Sequence, residues 1–283
     1  MTRKKIAFQG KTGAYSDLAC RASFPGHEPL PCPSFLDAFI AVETGKADLA
    51  MIPIDNSIAG RVADIHYLLP QYHLYFVAES FLPIHHCLLG IPGTKLSDIK
   101  KIYSHAHALP QCRNLIKKMK WDPVAYGDTA GSAERVAEMK DKSCAAIASS
   151  LTAKLYGLEI LKKNISDEKN NVTRFLALSK KPRVLKRKKN ETYITSFFFS
   201  VRNIPAALYK AVGGFATNGV NMLKLESYMP GGTFSSTLFY GEVEGHRDDP
   251  ALVRALEEMK FFSSSGRVLG TYTADKFRNK LFS

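Results

Sequence analysis

Short apolar strands alternate with amphipathic helices through the first 180 residues of the chain. The segment Asp48–Ile54 is almost continuously apolar, which is typical of a strand buried on both faces of a sheet. The pattern predicts strands at 6–8, 48–54, 75–82, 84–90, 102–104, 123–126, 145–148 and 173–178, and helices at 14–24, 34–44, 58–69, 109–119, 129–139 and 150–156. Such alternation indicates mostly parallel sheets covered by helices, and therefore an α/β fold.

The order of elements changes beyond residue 191. We predict strands at 192–201, 221–228, 234–244 and 267–272, helices that begin at Pro205 and Pro250, and a turn at 230–232. The order βαββαβ within about 80 residues is the ferredoxin-like pattern. The chain is therefore predicted to divide into an α/β domain over 1–180, a linker over 181–191 and a ferredoxin-like domain over 192–283.

A basic run marks the predicted linker. Seven of the ten residues at 180–189 are lysine or arginine, and they account for much of the net charge of +13. The run has no aromatic residue, so it is typical of a solvated linker, with a tail that binds nucleic acid or another partner as the alternative. We expect no nucleic-acid partner. The rest of the chain is mildly basic, which suits an anionic small substrate.

The spacing of cysteine and histidine favours neither disulfides nor a metal site. The five cysteines stand at 20, 32, 87, 112 and 144 without paired spacing, which indicates reduced thiols. Cys87 and Cys144 lie in apolar runs and are predicted to be core residues. The pairs His85-His86 and His105/His107 lack further ligands at a recognisable spacing.

Long apolar segments are missing from the sequence. No apolar run approaches the roughly 20 residues of a membrane helix. Only Ile6-Ala7-Phe8 follows the basic start, and this is shorter than the apolar region of a signal peptide. We therefore expect a cytoplasmic protein with no membrane partner.

Small and hydroxyl residues occupy five junctions between a predicted strand and the next helix. The junctions are Gly10–Ser16, Asp55–Gly60, Ser104-His105, Asp128–Ser132 and Ser149-Ser150. Ligands of open α/β sheets bind at such ends, where unsatisfied helix N–H groups attract anions. Each junction alone is most often only a helix cap. Five such junctions in one domain favour a site that binds several anionic oxygens without a metal ion or a nucleotide.

Two segments indicate a binding site more specifically than the five junctions do. The buried strand 48–54 ends in three adjacent polar residues, Asp55-Asn56-Ser57. Arg174 stands inside the otherwise apolar stretch 172–178 and must find an anionic partner. Composition leaves open whether that partner is a ligand carboxylate or a carboxylate of the protein. The residues alone thus indicate a two-lobed α/β domain that binds a small polycarboxylate, with an appended module.

Taken in order, these motifs resemble the prephenate dehydratases over nearly the whole chain. The residues that carry the resemblance are Gly10–Ser16, Pro53–Gly60, Ser104-His105 through Gln111-Cys112, Gly127–Ala133, Ala145–Ser149, Tyr156–Leu158, Asn171–Phe175 and Lys224–Ser227. The block Asn171-Val172-Thr173-Arg174-Phe175 is the most specific of the eight.

The resemblance implies a catalytic domain like the type II periplasmic-binding fold, followed by an ACT regulatory domain. Its two lobes would cover about 1–79 with 170–180, and 80–169. It also implies an enzyme without metal or organic cofactor, which assembles as a homodimer or homotetramer.

The implied reaction converts prephenate to phenylpyruvate by loss of carbon dioxide and of the ring hydroxyl, in L-phenylalanine biosynthesis. By resemblance, Thr173 lies at the leaving hydroxyl as a hydrogen-bond donor, and Asp55 and Gln111 complete the catalytic set. The implied substrate-binding residues are Thr12, Gly13, Asn56, Ser57, Ser104, His105, Thr129, Arg174 and Phe175.

The sequence departs from the family pattern at two places. The family glutamate before Asn56 is here Asp55, which is one methylene shorter. The implied effector site for L-phenylalanine is Ala206, Ala207, Leu208, Asn221, Glu226 and Ser227. It has Ala206 where the family has glycine, and Tyr228-Met229 where the family has arginine and proline. Feedback inhibition by phenylalanine is therefore left open.

Two alternatives to this function stay open. Arogenate dehydratase performs the same chemistry on the aminated substrate, and the sequence does not discriminate between them. A non-catalytic amino-acid sensor would share both folds but would not need the hydroxyl of Thr173.

Overall fold

A computed structural model describes residues 3–229 and 237–280. The strands are β1 (Lys5–Gln9), β2 (Glu28–Cys32), β3 (Leu49–Asn56), β4 (Gly60–Arg61), β5 (Tyr75–Pro83), β6 (Cys87–Gly90), β7 (Lys101–His105), β8 (Asp122–Tyr126), β9 (Cys144–Ala148), β10 (Glu159–Lys162), β11 (Val172–Ser179), β12 (Tyr193–Val201), β13 (Met222–Tyr228), β14 (Leu238–Glu244) and β15 (Ser263–Thr273). The α-helices are α1 (Tyr15–Ser23), α2 (Phe35–Glu43), α3 (Ala63–Leu68), α4 (Arg113–Met119), α5 (Thr129–Met139), α6 (Ser150–Tyr156), α7 (Ala207–Thr217) and α8 (Pro250–Phe262). Short 3-10 helices occur at Leu69–Gln71, Pro110–Cys112 and Lys276–Lys280.

The chain forms two compact units. The first contains Met1–Val62 and Ser80–Phe175, and the second contains Ala63–Glu79 and Leu176–Ser283. Two strands, β5 and β11, run from one unit into the other.

The first unit has two lobes, each built on its own sheet. One sheet has the order β2-β1-β3-β11-β5, with β4 paired to β3, and β1 runs parallel to β2 and β3. The other has the order β10-β6-β9-β7-β8, in which β7 runs parallel to β8 and β9. Buried Ile6, Phe8 and Met51 fill the core of the first lobe. The predicted two-lobed α/β fold is confirmed.

The helices of the second lobe begin at predicted caps. The Asp128 side chain accepts from the Gly131 amide at the start of α5, and Ser149 accepts from the Thr152 amide at the start of α6. Gly157 ends α6 in the left-handed conformation, which glycine adopts without steric penalty. The two helices therefore cover residues that capping signals in the sequence predict.

The second unit contains the predicted ferredoxin-like arrangement. Its antiparallel sheet has the order β13-β14-β12-β15, and α7 and α8 complete the order βαββαβ. The buried rings of Phe197 and Phe215 stack in its core. Gly241 leaves room for the Phe197 ring, since an added Cβ would lie 2.6 Å from it.

The observed elements differ from the prediction in several places, among them the start of α7, which is Ala207 rather than the predicted Pro205. The helix predicted at 58–69 is wrong at its start, because residues 60–61 pair with β3 as β4 and α3 begins at Ala63. Strands β2 and β10 were not predicted; β2 contains Pro29 and Pro31, which are tolerated because it lies at the sheet edge. The turn predicted at 230–232, and the start of the strand predicted at 234, lie outside the described residues.

The length of the helices and the state of the thiols can be read from the structure. Among the described residues, no helix has the length and apolar character needed to cross a bilayer. All five cysteines are buried free thiols. Cys87 and Cys144 belong to one apolar core, as predicted.

The basic run has no regular secondary structure and is almost entirely exposed. Arg187 pairs with Asp249 at 2.7 Å, and Lys188 pairs with Glu191 at 2.8 Å. The Leu185 carbonyl lies 3.1 Å from His246 Nε2. The run is thus attached at several points to other residues of the second unit.

Candidate active site

The hydroxyl of Thr173 is held by the side chain of Asn56. Asn56 ends β3, and its Nδ2 donates to Thr173 Oγ1 at 3.0 Å and to Asn171 Oδ1 at 2.8 Å. Its Oδ1 accepts from the amides of Ile58 and Ala59 at 3.0 and 2.7 Å. Both ends of the Asn56 amide are therefore engaged, which fixes its orientation. An Asx-type turn after a buried strand thus positions Asn56 beneath Thr173.

Ser57 joins the same two segments through its backbone and side chain. Its Oγ donates to the Asn170 carbonyl at 2.7 Å and accepts from the Val172 amide at 2.9 Å. Its own amide donates to the Val172 carbonyl at 2.9 Å. The hydroxyl predicted to bind substrate is therefore engaged in attaching β11 to the end of β3.

A second set of side chains meets at Gln111. Gln111 Oε1 accepts from Asn171 Nδ2 at 2.7 Å and lies 2.9 Å from His86 Nε2. His86 Nδ1 in turn lies 2.9 Å from the Tyr15 hydroxyl. Hydrogen bonds thus run without a break from Tyr15 to Thr173.

Burial keeps the histidine and the tyrosine of this network neutral. Desolvation lowers the pKa of His86, which is 2% exposed, and the hydrogen bond to Gln111 opposes that shift. Burial also raises the pKa of Tyr15 well above its ordinary value. Burial raises the pKa of Cys112 to about 12, so this neighbouring thiol is no nucleophile near neutral pH.

Arg174 has a carboxylate partner within the protein. Its Nη1 lies 3.6 Å from Asp55 Oδ2, and its guanidinium carbon lies 6.0 Å from the centre of the Phe81 ring. The residue is only 6% exposed. The structure therefore contains the internal ion pair that composition left as one of two alternatives. A separation of 3.6 Å exceeds an ordinary N–H···O hydrogen bond, so the attraction is mainly coulombic.

The loop at 10–14 packs against α6. The Gly13 carbonyl accepts from Ser149 Oγ at 2.8 Å and Thr152 Oγ1 at 3.1 Å, while its amide donates to Asp17 Oδ2 at 2.8 Å. The Tyr156 hydroxyl donates to the Thr12 carbonyl at 3.3 Å. The Gly13 amide that was expected to bind a substrate carboxylate is thus occupied by a side chain of α1.

Four of the other predicted site residues lie in different settings. Ser104 is fully buried and donates to the Ile147 carbonyl at 2.7 Å, and Phe175 belongs to the core of the first lobe. His105 contacts the His107 ring at 5.0 Å, and burial, helped by His107, lowers the pKa of His105. Thr129 is the first residue of α5.

The structure thus brings together Asp55, Asn56, Gln111, Thr173 and Arg174 through direct contacts or short relays. It also brings in His86 and Tyr15, which were not predicted as site residues, and it gives Asn171 a direct role. A polar side chain directly before the buried run of β6 was the available signal for His86. In the described part of the chain, no group of three or more His, Cys, Asp or Glu side chains could hold a metal ion.

Comparison with known proteins identifies the family and several relatives of this chain. The sequence model of the family described as prephenate dehydratase matches residues 6–183. A bifunctional N-acyl-homoserine lactone acylase/prephenate dehydratase from Komagataeibacter europaeus is 50% identical over 97% of this chain and 98% of its own length. Arogenate dehydratase/prephenate dehydratase 1, chloroplastic, from Arabidopsis thaliana is 38% identical over 98% of this chain and 74% of its own length. The crystal structure of prephenate dehydratase from Arthrobacter aurescens in complex with L-Phe has a TM-score of 0.87 and 31% identity, over 95% of this chain and 90% of that one.

The family match and the similar proteins, together with the two-lobed α/β unit, identify the chain as a carbon–oxygen lyase of the hydro-lyase class. The chain belongs to the prephenate dehydratase family, whose activity serves aromatic amino acid biosynthesis.

Proposed function

We propose that this chain converts prephenate to phenylpyruvate at the cluster around Thr173. The observation that carries the proposal is the hydrogen bond from Asn56 Nδ2 to Thr173 Oγ1. Because Asn56 donates to the threonine oxygen, the threonine proton is left to donate to a substrate. A leaving hydroxyl is the group on prephenate that needs such a donor.

The reaction is an elimination with a simple balance of bonds. The bond between the ring and its carboxylate breaks, and carbon dioxide leaves. The electron pair enters the ring, the C4–O bond breaks, and the hydroxide takes a proton supplied by the solvent to become water. A threonine hydroxyl is too weak an acid to supply a free proton, so Thr173 acts as a positioned donor. The bond from Asn56 polarises the Thr173 hydroxyl and strengthens that donation.

The substrate carboxylates require cationic and N–H groups. Arg174 supplies the guanidinium, which Asp55 holds in place and partly neutralises. Gln111 supplies a side-chain amide whose oxygen is already bound by Asn171. The start of α5 at Thr129 adds the partial positive charge of a helix N-terminus of 11 residues. These groups suit a dianion with its two carboxylates on different sides of the ring.

We also propose a role for each part of the chain. We place catalysis in residues 1–180, a linker in 181–191 and an ACT-type regulatory domain in 192–283. L-Phe bound to the similar Arthrobacter aurescens enzyme supports phenylalanine as effector. The residues that would bind it include Ala206, Asn221 and Glu226.

We further infer that the chain forms a homodimer or homotetramer. We also infer that it is located in the reducing cytoplasm, which suits its five free thiols.

Arogenate is the nearest competing substrate. The similar Arabidopsis protein is named for both arogenate and prephenate. Replacing the side-chain keto group by an ammonium changes the charge next to one carboxylate and leaves the ring chemistry unchanged. Comparing kcat/KM on both substrates decides between them, and faster turnover of arogenate would overturn our choice.

A second activity deserves a direct assay because of the relative that is 50% identical. That protein is named as an N-acyl-homoserine lactone acylase as well as a prephenate dehydratase. Release of homoserine lactone from an N-acyl-homoserine lactone would show the same activity here. Absence of release at enzyme concentrations that turn over prephenate would exclude it.

The central test compares Thr173→Ala with Thr173→Ser. We expect Thr173→Ala to lower turnover of prephenate at least about 100-fold, as is typical for removing one transition-state donor, and Thr173→Ser to restore part of it. Thr44→Ala removes an exposed hydroxyl that donates to Ile40 and serves as the control. A folded Thr173→Ala protein with full turnover would refute the assignment. A wild-type protein that binds prephenate without turnover would support the sensor instead.

A further inference from the structure

We propose that His86 is a positioning residue of this reaction, whose imidazole holds Gln111 with its amide nitrogen directed to the substrate. The inference rests on the proposed function at Thr173 and names a residue that this function does not yet include. His86 itself touches Tyr15 and Gln111, so its effect passes through Gln111.

The donors and acceptors around Gln111 have a single consistent order. Gln111 Oε1 accepts from Asn171 Nδ2, because Asn171 Oδ1 is the atom that accepts from Asn56. The same oxygen faces His86 Nε2 at 2.9 Å, so Nε2 must carry a proton. In the neutral ring Nδ1 then has a lone pair, and it accepts from the Tyr15 hydroxyl at 2.9 Å.

Tyr15 also lies near a second acceptor. Its hydroxyl is 3.0 Å from the His85 carbonyl, and it has one proton to donate. If that proton went to the carbonyl, the phenol oxygen and Nδ1 would face each other as two acceptors unless His86 were protonated. Burial of His86 to 2% exposure disfavours the protonated ring. Donation to Nδ1 is therefore the favoured arrangement, and it selects the tautomer with a proton on Nε2.

This arrangement fixes the orientation of the Gln111 amide. Asn171 and His86 occupy its oxygen from two sides, which leaves the Nε2 hydrogens as the end directed elsewhere. Within the described residues, no hydrogen bond uses Gln111 Nε2, and the residue is only half-buried. These two N–H groups therefore remain to bind a carboxylate or hydroxyl of the substrate. Without His86, only Asn171 would oppose rotation of the amide.

Three replacements separate positioning from simple packing. Glutamine at position 86 can place an N–H near the position of Nε2, whereas asparagine reaches only as far as Nδ1. Leucine fills a similar volume without any donor. A role limited to packing predicts losses that follow stability, while a positioning role predicts that glutamine alone restores activity.

The experiment measures kcat and KM for prephenate with His86→Gln, His86→Asn and His86→Leu, together with the melting temperature of each. We expect the asparagine and leucine variants to lose about 10-fold or more in kcat/KM, and the glutamine variant to stay within about threefold of wild type. Equal losses in the glutamine and asparagine variants, or wild-type kcat/KM in the asparagine or the leucine variant, would overturn the proposal. If the leucine variant does not fold, the glutamine–asparagine pair decides alone.

A nitrogen-15 NMR spectrum of the imidazole groups gives a readout that needs no turnover. The proposal requires a neutral His86 ring with its proton on Nε2, and a proton on Nδ1 instead would refute it. A wild-type protein inactive on prephenate would refute the proposed function at Thr173, whereas the NMR result would still decide the pairing of His86 with Gln111.

Discussion

Asn56 and Thr173 are 117 positions apart in the chain, yet the Asn56 amide donates to the Thr173 hydroxyl oxygen across 3.0 Å. The contact exists because β3 and β11 are neighbours in one sheet, so their ends meet. Asn56 performs two separable tasks, since one end of its amide stabilises the turn at Ile58 and Ala59 and the other holds Thr173.

Replacing Asn56 by aspartate should separate these two tasks. Aspartate keeps an oxygen for the Ile58 and Ala59 amides but offers no N–H to Thr173. Its second oxygen would accept the Thr173 proton that the reaction requires. We expect kcat on prephenate to fall at least about 100-fold, and the melting temperature to fall as well, because the new oxygen would also face Asn171 Oδ1.

Asn190→Asp is the matched control for added charge, because Asn190 is exposed at the end of the basic run. It should retain wild-type kcat. If Asn56→Asp kept full turnover, the hydrogen bond to Thr173 would have no part in catalysis.

The pair of Asp55 and Arg174 gives a prediction about stability. Replacing Asp55 takes one countercharge away from the buried Arg174 guanidinium, but the Asp55 side chain is 27% exposed and water screens part of the loss. We expect Asp55→Asn to lower the free energy of unfolding by about 1–3 kcal/mol, measured by urea titration. Asp55→Glu keeps the charge with a longer side chain and should cost less.

An exposed ion pair with the same separation provides the comparison. Arg135 and Glu138 also lie 3.6 Å apart, with side chains 50% and 62% exposed. Glu138→Gln should leave stability unchanged within error, since exposed pairs contribute little. Similar losses for Asp55→Asn and Glu138→Gln would show that burial of Arg174 is unimportant.

The sequence predicted elements whose signals are local. The caps at Asp128 and Ser149 and the terminating Gly157 fix α5 and α6 within a few residues of the chain. Strand β2 was not predicted, because Pro29 and Pro31 disfavour a strand when only the local sequence is considered. Parallel pairing with β1 overrides that local preference.

The sequence predicted members of a candidate site but not the contacts between them. Thr173, Asn56 and Gln111 were named from the family resemblance, but their hydrogen bonds depend on which strands become neighbours. The partner of Arg174 could not be chosen from composition, because Asp55 follows a different strand. The occupation of the Gly13 amide by Asp17 also requires the loop conformation, which a sequence pattern does not specify.

Ala206 gives a prediction for the second unit. It precedes α7 with φ of 61°, in the left-handed region that L-residues other than glycine adopt at a cost. Glycine relieves that cost but loses more entropy on folding. We expect Ala206→Gly to raise the free energy of unfolding by about 0.5–1 kcal/mol.

The control is Ala216→Gly, at an exposed position near the end of the same helix. It should lower the free energy of unfolding by at most about 0.5–1 kcal/mol, because glycine weakens a helix and the effect is largest in the helix interior. Changes of the same sign in both variants would contradict the assigned strain at Ala206. Ala206→Gly also restores the family residue at the proposed effector site, so titration with L-Phe on this variant tests whether that loop limits binding.

Replacing Gly13 by a residue with a side chain should destabilise the protein. Its φ is +93°, and an added Cβ would lie 3.0 Å from Leu155 Cδ1 and 3.3 Å from Thr152 Oγ1. Both the backbone conformation and the contact with α6 therefore oppose alanine. We expect Gly13→Ala to lower the free energy of unfolding by about 1–3 kcal/mol in urea titrations.

Gly26→Ala is the control for Gly13→Ala, since no heavy atom lies within 4 Å of its added Cβ and its φ is not positive. Its stability should stay level or rise slightly, because alanine restricts the unfolded chain. If Gly13→Ala were as stable as Gly26→Ala, the loop at 10–14 would not be held against α6 as the hydrogen bonds to the Gly13 carbonyl indicate. The Gly13 amide would then be open to exchange its bond with Asp17 for a substrate carboxylate.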